Sequence, residues 1–210
     1  MFPKTDCPSC GTTFIPTSDS PDSSYCPDCQ RKRSREKRLA QATQPEGNLL
    51  KDQSPLQLGT QGRFHRQPFT LVGRVVREWE GGQWNEWAAK FLDGRIGWLG
   101  EAQGFYSMSF ENETPGSLPA KGDLAPEKTF ELPGGSYTVD DIKDVVCAFT
   151  EGELPPGVKK GQKSVSVDLI GEGQAYSNLV YENGVVRLYQ GDYIPFEAFE
   201  FIQLRKIDGW

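Results

Sequence analysis

Residues 68–101, PFTLVGRVVREWEGGQWNEWAAKFLDGRIGWLGE, decide the fold class. The stretch opens on a β-rich run, 68–79, which halts at Glu80-Gly81-Gly82. A second run, WNEWAAKFL (84–92), is parted from RIGWLGE (95–101) by Asp93-Gly94. Asp-Gly supplies the positive φ that a two-residue hairpin turn needs, so the runs read as strands joined by tight turns.

The same pattern extends in both directions. FYSMSF (105–110) follows Gly104, and then 111–128 is a Pro/Gly-rich connection without periodicity. A second set of strands is expected at 136–149, 164–170, 174–182 and 185–190, with Asn183-Gly184 as another hairpin turn. In SVSVDLI, Val165, Val167 and Leu169 alternate with Ser164, Ser166 and Asp168, so one face is buried and the other polar. The closing PFEAFEFIQL places Phe196, Phe199 and Phe201 in a helical turn and a last strand. The halves share a faint pattern, Phe69-Thr70-Leu71 beside Tyr137-Thr138-Val139. The expectation is a mainly β chain: a first β half (56–112), a connection (113–128) and a second β half (129–210). These form one barrel-like or sandwich domain, or two small β sub-domains.

Composition narrows the function classes. A chain of 210 residues holds one medium domain, or one domain and a small module. Hydrophobic residues are 36% and mean hydropathy is −0.57, but 11% aromatics exclude a disordered chain. No apolar run nears the ~18 residues of a membrane span, so no transmembrane segment is expected. MFPKTDC lacks the apolar stretch of a secretory signal, which points to the cytoplasm. The single His65 excludes sites that need two histidines, and a net charge of −6 excludes a uniformly basic nucleic-acid binder.

Four of the five cysteines form two pairs, Cys7-Pro-Ser-Cys10 and Cys26-Pro-Asp-Cys29. This spacing is that of a four-thiolate structural zinc site, each two-residue gap presenting both sulfurs from one turn. The intervening residues are too polar for a core, so zinc, worth about 10–16 kcal/mol in small modules, would supply the folding energy. Two disulfides would need an oxidising compartment that no signal reaches. Residues 1–31 therefore read as a zinc ribbon, with no open position for catalysis. The fifth cysteine, Cys147, lies in an apolar run far in sequence from His65 and reads as a buried, inert thiol.

The linker, 32–55, opens within a basic run, Arg31, Lys32, Arg33, Arg35, Lys37 and Arg38, which stand with one glutamate in residues 31–38. Up to Pro55 the chain carries 8 basic and 7 acidic residues, and the remainder 15 and 22. Such a run can contact nucleic acid or an anionic membrane surface, or serve as a solvated spacer. No base-stacking pattern accompanies it.

Trp79, Trp84, Trp87 and Trp98 fall within twenty residues, interleaved with Glu86 and Glu101 among other acids. Aromatic faces beside carboxylates suit an organic cation, each cation–π contact contributing about 0.5–2 kcal/mol. Trp84, Glu86, Trp87, Trp98 and Glu101 are thus the candidate ligand residues, for a polyamine or another cationic small molecule. On a regular strand Trp84 and Trp87 face opposite sides, so core packing competes with ligand binding for at least one of them. No phosphate loop, dinucleotide fingerprint or nucleophile elbow is present.

LQLGTQGRFHRQPFTLVGRVVREWEGGQWNEW (56–87), with Gly94, Gly97-Trp98-Leu99 and Glu101-Ala102-Gln103-Gly104, resembles the bacterial domain-of-unknown-function family 4178. Glu151-Gly152-Glu153-Leu154-Pro155 and GDYIPFEAFEF (191–201) are similar to its second half, and the double CxxC occurs on many members. Trp87-Ala88-Ala89-Lys90 departs from it, since bulkier residues are expected after the tryptophan. The resemblance implies no particular reaction. Its gene neighbourhood implies a polyamine-linked or membrane-stress system. The expected role is therefore a non-enzymatic, zinc-containing binding or adaptor protein with protein partners. The alternatives are an enzyme or enzyme subunit acting on an amine-containing small molecule, and nucleic-acid binding through residues 1–40.

Overall fold

A computed structural model describes residues 5–6, 13–14, 54–113 and 116–206. The chain divides into two compact units, Met1–Leu49 and Leu50–Trp210. In the first, β1 (Thr5–Asp6) and β2 (Thr13–Phe14) pair antiparallel, and in sequence they flank Cys7 and Cys10. The zinc-ribbon cysteines Cys7, Cys10, Cys26 and Cys29 and the basic run 31–38 lie outside the described residues.

The second unit carries β3 (Gln61–Phe64), β4 (Gln67–Trp79), β5 (Gly82–Phe91), β6 (Ile96–Ala102) and β7 (Phe105–Glu111). After the connection come β8 (Thr129–Leu132), β9 (Gly135–Gly152), β10 (Lys163–Ile170), β11 (Ala175–Glu182) and β12 (Val185–Tyr193). Short 3-10 turns occupy Lys121–Asp123 and Phe196–Phe199. The pairing runs β4-β5-β6-β7-β12-β11-β10-β9 and returns to β4, every pair antiparallel. This is a closed eight-stranded barrel, which removes the unpaired edges an open sheet would leave. Two separate sub-domains do not form, because the long strands β4 and β9 pair with each other and draw both halves into one ring. The first residues of each hold a short partner instead, β3 on β4 and β8 on β9. At the end of the chain, Ile202 makes an isolated bridge to Gln61 in place of the expected last strand.

The halves repeat each other. β3 and β8 are the same length and start 68 residues apart, at Gln61 and Thr129. Leu71 exchanges backbone hydrogen bonds with Gly59 and Thr60, and Val139, again 68 residues on, does so with Glu127 and Lys128. Each long strand slips register just after this point, opposite β5 and β10 respectively. In the later strands the offset becomes 80, Gln103-Gly104 matching Asn183-Gly184, and all four of these turn residues have positive φ.

Antiparallel partners point to the same side of a sheet, so the registers sort the side chains of the ring into two faces. One face holds Phe69, Leu71, Trp87, Phe91, Leu99 and Met108, and in the second half Tyr137, Val139, Val165, Val167, Leu169, Leu179 and Leu188. The other face holds Trp84, Glu86 and Trp98, and in the second half Ser164, Ser166, Asp168, Asn178 and Glu182. Segments outside the ring pack on the first, apolar face, so this second face is the interior. The apolar face looks outward and is covered by flanking segments. Leu56, Phe196, Phe199 and Phe201 cap the first half; Leu118, Leu124, Phe130 and Leu132 cap the second. The polar face of SVSVDLI accordingly does not meet bulk water: Ser164 and Ser166 are 7% and 8% exposed.

Candidate ligand site inside the barrel

The β4–β5 hairpin builds one end of the interior. Trp79 lies over the Gly81-Gly82 turn so closely that a Cβ at Gly81 would stand 2.8 Å from its indole nitrogen. Its ring centre is 5.2 Å from that of Trp84. Trp84 donates from Nε1 to Glu86 Oε1 (3.0 Å), and Arg77 donates from Nε to Glu86 Oε2 (2.9 Å). Burial works against the Arg77 charge, but Glu86 outweighs it and holds the guanidinium above its ordinary pKa, with help from Glu182. Glu182 also pairs with Arg187 at 3.5 Å.

Further round the ring, Tyr176 donates to Asp168 (3.0 Å) and its ring lies 4.9 Å from that of Tyr193. Burial, reinforced by Asp168, pushes the Tyr176 phenol well above its usual range. Tyr189 is pushed up to about 12 by burial and by the Glu111 charge. Asn178 donates to both Ser166 (2.8 Å) and Asp168 (2.8 Å). Lys143 and Asp141, two residues apart on β9 and hence on one face, form an ion pair. Lys143 Nζ sits 5.0 Å from the Trp79 ring centre. Cys147 is fully buried on the same wall, opposite Arg77, and burial pushes its thiol up, away from thiolate.

The five sequence candidates do not share a site. Trp84, Glu86 and Trp98 face the interior, whereas Trp87 and Glu101 belong to the outer wall. There Trp87 Nε1 (2.9 Å), Asn85 Nδ2 (2.9 Å) and Ser54 Oγ (2.7 Å) all donate to Glu101 Oε2. Arg74 stacks 4.9 Å from the Trp87 ring and donates to Asn85 Oδ1. Arg205 donates to the Ser54 carbonyl (2.6 Å), so both ends of the unit are fastened to this buried network. Ala89 on this face and Ala88 on the inner one are both fully buried. Sequence reasoning missed Arg77, Asp141, Lys143, Tyr176 and Glu182 as inner-wall residues. Period-two alternation in β9 and β11 was the available signal.

Fold and inner wall together define a small closed antiparallel β-barrel with a polar, aromatic-lined interior. The chain belongs to the family described as Domain of unknown function (DUF4178), which it matches over residues 57–196. No curated protein and no solved structure matches it. Among the described residues no helix is long and apolar enough to cross a membrane.

Proposed function

We propose that the protein is a non-enzymatic binding protein whose barrel interior takes a small organic cation, of which polyamines are the natural class. One observation carries the reading. Among the described residues, the carboxylates of Glu86, Glu111, Asp141, Asp168 and Glu182 share the inner face with Trp79, Trp84 and Trp98, against the cations Arg77, Lys90, Lys143 and Arg187. An ammonium entering there meets excess negative charge and indole faces together, where each cation–π contact contributes about 0.5–2 kcal/mol. A binding role is supported over catalysis because both Glu86 oxygens are engaged and the Cys147 thiol is held protonated. His65, the one histidine, lies outside the ring in the β3–β4 turn, 3.4 Å from Asp192.

Titrating intrinsic tryptophan fluorescence with spermidine tests the reading. A saturable change that Glu86→Gln and Trp84→Ala weaken is expected. The absence of any saturable change at millimolar spermidine would sink it. For the N-terminal unit we propose a structural zinc on Cys7, Cys10, Cys26 and Cys29, tethering the barrel to a partner protein in the cytoplasm. Metal analysis of the full chain should find one zinc per protein, lost when Cys7 and Cys10 are both replaced by Ser.

A further inference from the structure

Lys143 already makes the two contacts that an amine ligand would seek. Its ammonium rests against the Trp79 ring and pairs with the Asp141 carboxylate, and its side chain is 19% exposed. The fold does not call for a charge at this position. In the first half the equivalent residue, 68 earlier, is Val75, which is fully buried and apolar. A lysine set on the inner wall where the repeat accepts valine is an alkylammonium held inside the barrel by its own backbone.

We propose that Lys143 is a tethered stand-in for the ligand. In the empty protein it fills the seat formed by Trp79 and Asp141, and an entering primary alkylammonium displaces it. This rests on the reading that the interior takes an organic cation, and it adds both the ligand's chemistry and a control on its affinity. The minimal ligand has the lysine side chain's own shape, n-butylammonium, and a methylated quaternary ammonium fits less well because it cannot donate to Asp141. The Trp79 indole, stacked on the Gly81-Gly82 turn, provides a fixed wall for either occupant. A seat that Lys143 fills nine-tenths of the time lowers the apparent affinity of any competitor about tenfold.

The test compares n-butylammonium binding by the full-length protein and by Lys143→Met, which keeps the apolar stem and removes the charge. The expected result is about tenfold tighter binding by Lys143→Met, a gain abolished by adding Trp79→Leu. Equal or weaker binding by Lys143→Met, when the unaltered protein does bind amines, overturns the stand-in and leaves the binding reading intact. If neither protein binds n-butylammonium or spermidine, both ideas fall. Should Lys143→Met fold poorly, Lys143→Val, copying Val75, replaces it. A measurement on the unaltered protein serves as well: the ring-current-shifted Lys143 ε-methylene NMR signal should return to its solvent-exposed position as n-butylammonium saturates. A signal that stays put at saturation overturns the proposal.

Discussion

At Trp79, Trp84 and Trp98 the first half of the barrel sets indoles on the inner wall; the equivalent positions of the second half are Cys147, Ser164 and Asn178. The exchange runs both ways, because Tyr176 and Tyr189 of the second half answer Ile96 and Ser109 of the first. An eight-stranded ring has room for roughly one layer of side chains, so large residues from one half require small ones facing them. The outer face behaves differently. Leu71 and Val139, Leu99 and Leu179, and Met108 and Leu188 are equivalent pairs, and all six are buried and apolar. Stability is thus held by an outer core that both halves keep, while the interior, relieved of that duty, has diverged into an indole-rich side and a hydroxyl- and carboxylate-rich side.

The outer wall supplies the largest expected effect. Trp87 has Val167 as its counterpart, and both are fully buried. Trp87→Ala should lower stability by about 3–5 kcal/mol and Val167→Ala by about 2 kcal/mol, read from urea midpoints at unchanged slope. Equal losses would break the idea that the first half carries the heavier outer core. The next contrast is Gly73 against Asp141. A Cβ at Gly73 would lie 2.1 Å from the Glu153 carbonyl oxygen, a backbone atom that cannot swing aside. Gly73→Ala should cost about 3 kcal/mol, whereas Asp141→Ala, which leaves the largely buried Lys143 ammonium without this carboxylate, should cost about 1–2 kcal/mol.

Alkaline pH probes the second half. Tyr181 and Tyr189 are both pushed up to about 12, chiefly by burial. Their folded values exceed the unfolded value near 10, so the native state holds protons that the unfolded chain has released. The stability they lend is complete below about pH 10 and drains away as pH rises through about 12. Absorbance at 295 nm should show these two phenols, like that of Tyr176, ionising late and together with loss of the fold; their ionisation near pH 10 in the intact protein would contradict the burial argument. The smallest effect belongs to the exposed pair Lys90–Glu153, where Lys90→Ala should cost at most about 1 kcal/mol and less in high salt.

Most strands could be read from the sequence because glycine-containing turns mark their ends and the alternation within them is regular. β3 and β8 could not, since QGRF and TFEL are four-residue polar-mixed segments that become strands only by pairing with the starts of β4 and β9. The opposite facing of Trp84 and Trp87 followed from parity alone. Which face was inside did not, because alternation shows two faces but only closure between β4 and β9 makes the polar one an interior. The Trp84–Glu86 contact spans two residues and was legible. The Trp79–Lys143 contact joins strands far apart in the chain and was not.

Ring closure also sets how the chain must fold. Six of the eight pairings in the ring join consecutive strands, five of them through short turns, and hairpins form within about 1–10 μs. The two seams, Gly73 with Gly152 and Ser109 with Gly191, bring together residues from different halves. Both halves must therefore be largely assembled before either seam gains its hydrogen bonds, and seam formation governs the folding rate. Until then β4, β7, β9 and β12 each present an open edge. The interval before closure is the period in which this protein is most exposed to pairing with another copy of itself.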